Sequence, residues 1–285
     1  MAEHKDVKER LLALLKELHL PAMPVSYEEL ARQAQQEGYS YEQYLLHLVE
    51  REVQQQRHQR VERWLHACRL PLEKSWQALD RKRLPLRVVQ QARTLLEGSF
   101  LDRHENVLVF GQPGSGKTRL LSAVGQELVR NGRRVLFTKC GLLVQQLLIA
   151  KRDLKLSRLL KQLAGYPALI LDDLGYVQQS REEMEVLFTL LAERYERGGV
   201  LLTSNLPFSG WEAIFKDPMT TAAAIDRLVH HAVLLELNVP SYRAEQAKKK
   251  RQGRSGSADS NGSKASPAVG DEAAGGGGGE AYALT

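Results

Sequence analysis

The chain has 285 residues, 43% hydrophobic and 26% charged, proportions of a folded globular protein with room for one large domain and a smaller one. No apolar run approaches the ~20 residues of a membrane span, and Met1-Ala-Glu-His-Lys-Asp6 lacks a signal-peptide core. The two cysteines, Cys68 and Cys140, show no metal-ligand spacing, so two reduced thiols in a cytoplasmic protein are expected; the net charge of +6 matters less for its size than for its placement.

Residues 3–20 read as an amphipathic helix with Val7, Leu11, Leu14, Leu15 and Leu18 on one face, ended by Pro21 and Pro24. Ser26 with Glu29, and Ser40 with Gln43, have the capping-box spacing and each predicts a helix start. The second of these helices continues to about Ala67. Residues 1–70 are therefore expected to form a small helical bundle, and 71–105 to connect it to a larger domain. Arg57, Arg60 and Arg63 lie three apart on one helix face. On charge alone a solvated face and a surface for phosphate backbones stand level. After Pro85, residues 86–96 predict a short helix that Gly98 ends.

From residue 106 strand and helix signals alternate. Strands are expected at 106–110, 134–138, 168–171, 200–203 and 232–236, and helices at 141–164, 181–197 and 219–230, which predicts a parallel sheet covered on both faces. The domain so defined runs over 106–243. Residues 244–285 turn basic, at Lys248–Arg251, and then Gly- and Ser-rich, a composition expected to stay disordered.

Between the first strand and its helix stands Gly111-Gln112-Pro113-Gly114-Ser115-Gly116-Lys117-Thr118, the phosphate-binding loop pattern. Free N–H groups at the helix start favour a phosphate, and the glycines let the backbone wrap it. Lys117 is placed to reach β- and γ-phosphates and Thr118 to hold Mg²⁺. The spacing does not fit the dinucleotide fingerprint, which argues against hydride transfer.

The third strand ends in Asp172-Asp173. Asp172 is assigned to the Mg²⁺ site, through water, and Asp173 to the attacking water as general base. Many related ATPases have Glu there, so the shorter Asp predicts slow hydrolysis. Asn205 closes the fourth strand, where it orients water or contacts the γ-phosphate; Ser-Asn is also a common turn. Arg227 reads either as an arginine finger acting on a neighbour's nucleotide or as an ion-pair partner of Asp226 or another acid. His230 and His231 read as surface or interface residues, since an adjacent pair without further ligands is poor evidence for a metal.

Taken together, these motifs resemble the AAA+ ATPases of the initiator and helicase-loader group. Residues 10–243 more narrowly resemble the IstB family, helper ATPases of insertion-sequence transposition. The resemblance is carried by Leu18-His-Leu-Pro-Ala-Met23, Tyr39-Ser-Tyr-Glu-Gln-Tyr-Leu45, Phe100-Leu-Asp-Arg-His-Glu-Asn106, the loop, Leu171-Asp-Asp-Leu-Gly175 and Asp226-Arg-Leu-Val-His-His231. It implies a five-stranded AAA+ sheet, ATP bound between subunits, homo-oligomers on duplex DNA, and a partner DDE transposase of the IstA type. It casts Arg227 as the finger and Arg243 as a second nucleotide-sensing arginine. It also implies a DNA-facing helix over 141–164 carrying Lys151, Arg152, Lys155 and Arg158. DnaC-type helicase loaders are the nearest competing reading.

Overall fold

The computed structural model describes residues 2–175, 180–212 and 218–241. The expected tail lies outside them.

Three helices come first: α1 (Ala2–Glu17), α2 (Met23–Glu37) and α3 (Tyr41–Ala67). The Ser40–Gln43 capping box forms as the spacing predicts. The Ser26–Glu29 box does not. Helix α2 begins four residues earlier, with Ala22 at its N-cap, and Ser26 lies inside it with its hydroxyl donating to the Ala22 carbonyl at 2.9 Å. Two N–H groups at the start of α2 are instead taken by Glu52 of α3. Its Oε2 accepts from Ala22 N at 2.7 Å and Met23 N at 3.0 Å, while Gln56 donates to Oε1. A carboxylate at a helix N-terminus is favoured by the dipole there, and here it comes from thirty residues away rather than from a local motif. Leu15, Met23, Leu30 and Leu48 form the core of these helices. The rest of the α1 stripe stays largely open, with Val7 63% and Leu18 67% exposed.

Helix α3 is 27 residues long, about 40 Å, and links two cores. Its C-terminal turns place Val61, Trp64 and Leu65 against the main body. The main body continues with α4 (Leu86–Glu97), ended by Gly98 in the left-handed conformation, and the single turn α5 (Ser99–Asp102). It then runs β1 (Asn106–Gly111), α6 (Lys117–Arg130), β2 (Val135–Lys139), α7 (Cys140–Arg152), α8 (Leu156–Ala164), β3 (Ala168–Leu174), α9 (Arg181–Arg194), β4 (Gly199–Ser204), α10 (Pro218–Val229) and β5 (Ala232–Leu237). The expected single helix 141–164 is two helices. The chain breaks at Leu154, 95% exposed with φ 57°, a conformation that no β-carbon-bearing residue continues as a helix.

All five strands are parallel, in the order β2-β3-β4-β1-β5. Their side chains alternate between two cores, as a pleat requires. Leu108, Leu169, Leu171, Val200 and Leu202 face the layer holding α7, α9 and α10. Val107, Val109, Ile170, Leu201 and Leu235 face the layer of α4 and α6, where Trp64 and Leu65 of α3 also pack. Both cysteines are buried free thiols, and burial pushes Cys140 up to about 12. No helix among the described residues is long and apolar enough to cross a membrane.

Two buried polar side chains bind the elements together at the edge where the strands begin. Asn106 donates to the carbonyls of Arg227 and Leu228, at 3.3 and 3.1 Å, and accepts from Val200 N at 2.9 Å, so β1, β4 and the end of α10 meet on one amide. Arg194, 3% exposed, donates to the carbonyls of Leu163, Tyr166, Pro167 and Gly199. Burial pulls this guanidinium down to about 10.

Candidate nucleotide site

The phosphate loop lies where predicted, between β1 and α6 at the end of the sheet where the strands finish. Gly114 (φ 83°) and Gly116 (φ 103°) hold the backbone conformation that only glycine enters freely. A β-carbon on Gly114 would run into Ser241, whereas one on Gly116 would project into open space. The loop is thus packed from behind and clear in front. Ser115 Oγ is buried without a hydrogen-bond partner among the described residues, which marks a cradle with an acceptor to gain. Lys117 is 6% exposed and donates to the Gly111 carbonyl at 2.6 Å and the Gln112 carbonyl at 3.1 Å. Its ammonium is therefore held within the loop, on acceptors that phosphate oxygens can replace.

Two more strands meet this loop. Thr118 Oγ1 donates to Asp172 Oδ1 at 2.8 Å, and Thr203 Oγ1 of β4 donates to the same oxygen at 2.8 Å. Asp172 is 3% exposed; burial raises its pKa, the two hydroxyls oppose that, and Lys74 opposes it through its charge. Thr118 and Asp172 supply the hydroxyl and carboxylate oxygens a hard divalent cation takes, so the residues fit Mg²⁺ with a nucleotide phosphate.

Asp173 is set apart from Asp172 by a β-bulge. Three steps along β3, from Leu171 to Leu174, span two along β4, from Leu202 to Ser204. The extra residue is Asp173, with φ 63° and an exposed side chain. Its N–H donates to Thr203 Oγ1 at 2.8 Å. One threonine thus fixes both carboxylate residues, Asp172 through its side chain and Asp173 through its backbone. Aspartate is among the few residues other than glycine that enter this conformation at modest cost. The bulge therefore gives a reason for Asp where reach alone favours Glu.

Sequence reasoning passed over Thr203 and Lys74. Thr203 sits in Val200-Leu-Leu-Thr203, where a lone buried hydroxyl among leucines was the available signal. Lys74 acts on Asp172 through its charge alone, from a connecting segment that packs along α6. Gln126 donates to the carbonyls of Pro71 and Leu72, and Arg119 to that of Ala78. Asn205 comes directly after β4 at the same end of the sheet, half-buried.

The remaining candidates lie elsewhere. Arg227, at the end of α10, rests its guanidinium 4.5 Å over Phe188 and donates to the Ala223 carbonyl at 3.0 Å. Among the described residues it has no ion pair with Asp226. Arg243 lies outside the described residues. Arg57, Arg60 and Arg63 are exposed on α3; Arg60 and Arg63 border a cleft of about 1250 Å³ shared with Leu12, Leu18 and Pro21. Lys151, Arg152 and Arg158 are exposed on α7 and α8, with Lys155 between them; Lys151 pairs with Glu185 at 3.0 Å and Lys155 with Asp153 at 3.4 Å. Helices α7 and α8 pack on one face of the sheet and the end of α3 on the other, so the two basic groups stand on different layers.

Residues 13–251 match the family described as IstB-like ATP binding protein. A Sinorhizobium fredii protein named for an insertion sequence and for ATP binding is 40% identical over 253 residues, 88% of this chain and 85% of its own length. A Pseudomonas aeruginosa relative, named for insertion sequence IS21 and ATP binding, is 37% identical over 240 residues, 84% of this chain and 90% of its own. Among solved structures, domain III of the Thermotoga maritima replication initiation protein DnaA superposes with a TM-score of 0.50 at 15% identity, covering 66% of this chain and 76% of that one; this likeness concerns the fold alone. With a match across most of its length, a parallel five-stranded sheet and a phosphate loop facing a buried aspartate, the chain belongs to the family of IstB-like ATP binding proteins.

Proposed function

We propose that this protein is an ATP-dependent, DNA-binding helper of transposition. It assembles as a homo-oligomer on duplex target DNA with ATP at the subunit junctions. It recruits or stimulates a DDE transposase of the IstA type and leaves when ATP is hydrolysed. The observation that carries the reading is the convergence of Thr118 and Thr203 on one buried oxygen of Asp172 beside the phosphate loop. That constellation suits hydrolysis better than passive nucleotide storage, and family membership supplies the context.

In this reading Gly111–Thr118 cradle the phosphates, with Gln112 and Pro113 shaping the turn. Lys117 moves from the loop carbonyls to the β- and γ-oxygens. Thr118 and Asp172 would hold Mg²⁺, which when bound would supply positive charge to the phosphates. Asp173 takes the proton of the attacking water, Asn205 orients that water, and Arg227 reaches the site of the adjacent subunit. Arg243 senses the nucleotide. Residues 1–70 serve as the DNA- or partner-binding part, 71–105 as connection, 106–243 as the ATPase domain and 244–285 as a tail.

The test measures binding to duplex and to single-stranded DNA of one sequence, with ATP and with ADP. Duplex preference with ATP is expected; preference for single strands would instead favour a helicase loader. Asp173→Asn keeps ATP binding but removes the proton acceptor, so its ATP-bound complex on duplex should outlast the wild type's. An unchanged lifetime would separate hydrolysis from release.

A further inference from the structure

At the other end of the sheet, the structure supplies what the His230–His231 pair lacks in sequence. Glu196, in the turn between α9 and β4, brings a carboxylate to both imidazoles. One donor atom from each of the three lies within 4.8 Å of the others. All three are exposed, and no other cluster of this kind occurs among the described residues. We propose that Glu196, His230 and His231 bind a borderline transition-metal ion, with Zn²⁺ as the natural occupant. Two imidazoles and one carboxylate suit such an ion and not Mg²⁺ or Ca²⁺, which take oxygen ligands.

The backbone beneath the trio is fixed from both sides. His230 N donates to the Asp226 carbonyl at 2.9 Å and closes α10. The His231 carbonyl accepts from Asn106 N at 2.7 Å, which ties it to β1. On the opposite turn, Arg197 N and Gly198 N both donate to the Arg194 carbonyl. Side-chain rotation can then bring the donors together. Zinc bonds of about 2.0–2.2 Å at tetrahedral angles place donors about 3.3–3.6 Å apart, so the closure needed is small.

An outer contact is also in place. Tyr195 Oη lies 3.1 Å from His230 Nδ1. With Nε2 of His230 on the metal, Nδ1 carries the proton and donates to the tyrosine oxygen, fixing the ring and its tautomer. The third and outer parts of the site come from residues 195 and 196, some 35 positions before the histidine pair. The metal would therefore cross-link the α9–β4 turn to the α10–β5 turn. This site is distinct from the nucleotide site: β1 begins beside His231 and ends at the phosphate loop, about 17 Å away along the strand.

The experiment is calorimetric titration of the full chain, without a histidine tag, with ZnCl₂ in excess Mg²⁺ so that hard-oxygen sites are filled. One ion per chain is expected. His230→Ala, His231→Ala and Glu196→Gln should each weaken binding by more than about tenfold, and Tyr195→Phe by about tenfold. Because all four side chains reach the surface or lie near it, circular dichroism should show unchanged folds. Co²⁺ added to the wild type provides a second readout independent of the variants: the intense visible bands of four- or five-coordinate cobalt, removed by Zn²⁺. No saturable zinc binding, binding unchanged in both histidine variants, or only the weak spectrum of six-coordinate cobalt would each overturn the proposal.

Discussion

At the scale of the residue, Thr203 concentrates the most chemistry in the fewest atoms. Its hydroxyl donates to Asp172 and accepts from the N–H of Asp173. Thr203→Val keeps the shape and removes both bonds. It should cost about 1–3 kcal/mol of stability and lower ATP turnover about 100-fold by displacing the two carboxylates, while Thr203→Ser keeps both. Urea unfolding and phosphate release measure the two effects, and equal turnover in the valine and serine variants would refute the bridging role. Arg227 needs a different test, since its partner nucleotide is proposed to belong to a neighbour. Arg227→Ala should retain ATP binding and lose turnover by up to about 10³–10⁵, less if Asp173 already limits the rate. Lys117→Ala should be inactive for a separate reason. Mixed oligomers of the two contain junctions with an intact Lys117 on one side and an intact Arg227 on the other, and these should recover part of the turnover. Mixed oligomers that form without recovering activity would place the arginine's action within its own subunit.

At the scale of the element, what the sequence made legible and what it hid divide along contact range. The strands, the phosphate loop and the Ser40–Gln43 cap rest on neighbours within a few residues, and all appear where the pattern puts them. The start of α2, the bulge at Asp173 and the break at Leu154 depend on distant partners or on backbone geometry. Ser26–Glu29 had the right spacing for a cap, but Glu52 outcompetes it from another helix. Lys74 acts on Asp172 through its charge from a connecting segment that α6 holds. Asn106 belongs to the same class, a polar residue at a strand start whose three bonds join parts of the chain more than ninety residues apart. Asn106→Leu leaves Val200 N and the two helix-end carbonyls without their partner, so a loss of about 2–4 kcal/mol is expected. For a chain of this size each kcal/mol lowers Tm by about 2–4 °C, which scanning calorimetry resolves. A change within about 1 °C would show that the junction is held by packing alone.

At the scale of the whole molecule, two basic groups on different layers of the fold separate cleanly in a salt titration. Taking away one phosphate-binding side chain should flatten the dependence of log K on log salt by about 0.9 on duplex DNA, across all sequences alike. Replacing Arg57, Arg60 and Arg63 together is expected to flatten it by up to about 3, and replacing Arg152 and Arg158 by up to about 2. An unchanged slope returns that group to an ordinary solvated face. Lys151 and Lys155 already have acidic partners and should contribute less. The strand order has a consequence of another kind, for the protein as it is being made. β1 lies between β4 and β5, yet Val107 meets Leu201 only about 94 residues later and Val233 later still. At about 5–20 residues per second, the ribosome keeps this apolar strand without a neighbour for about 5–20 s. The earlier helices can shelter one face through Leu95 and Phe100, but neither edge. Nascent chains halted between β1 and β4 should therefore be the aggregating species, and chaperone demand should peak there rather than at the finished protein.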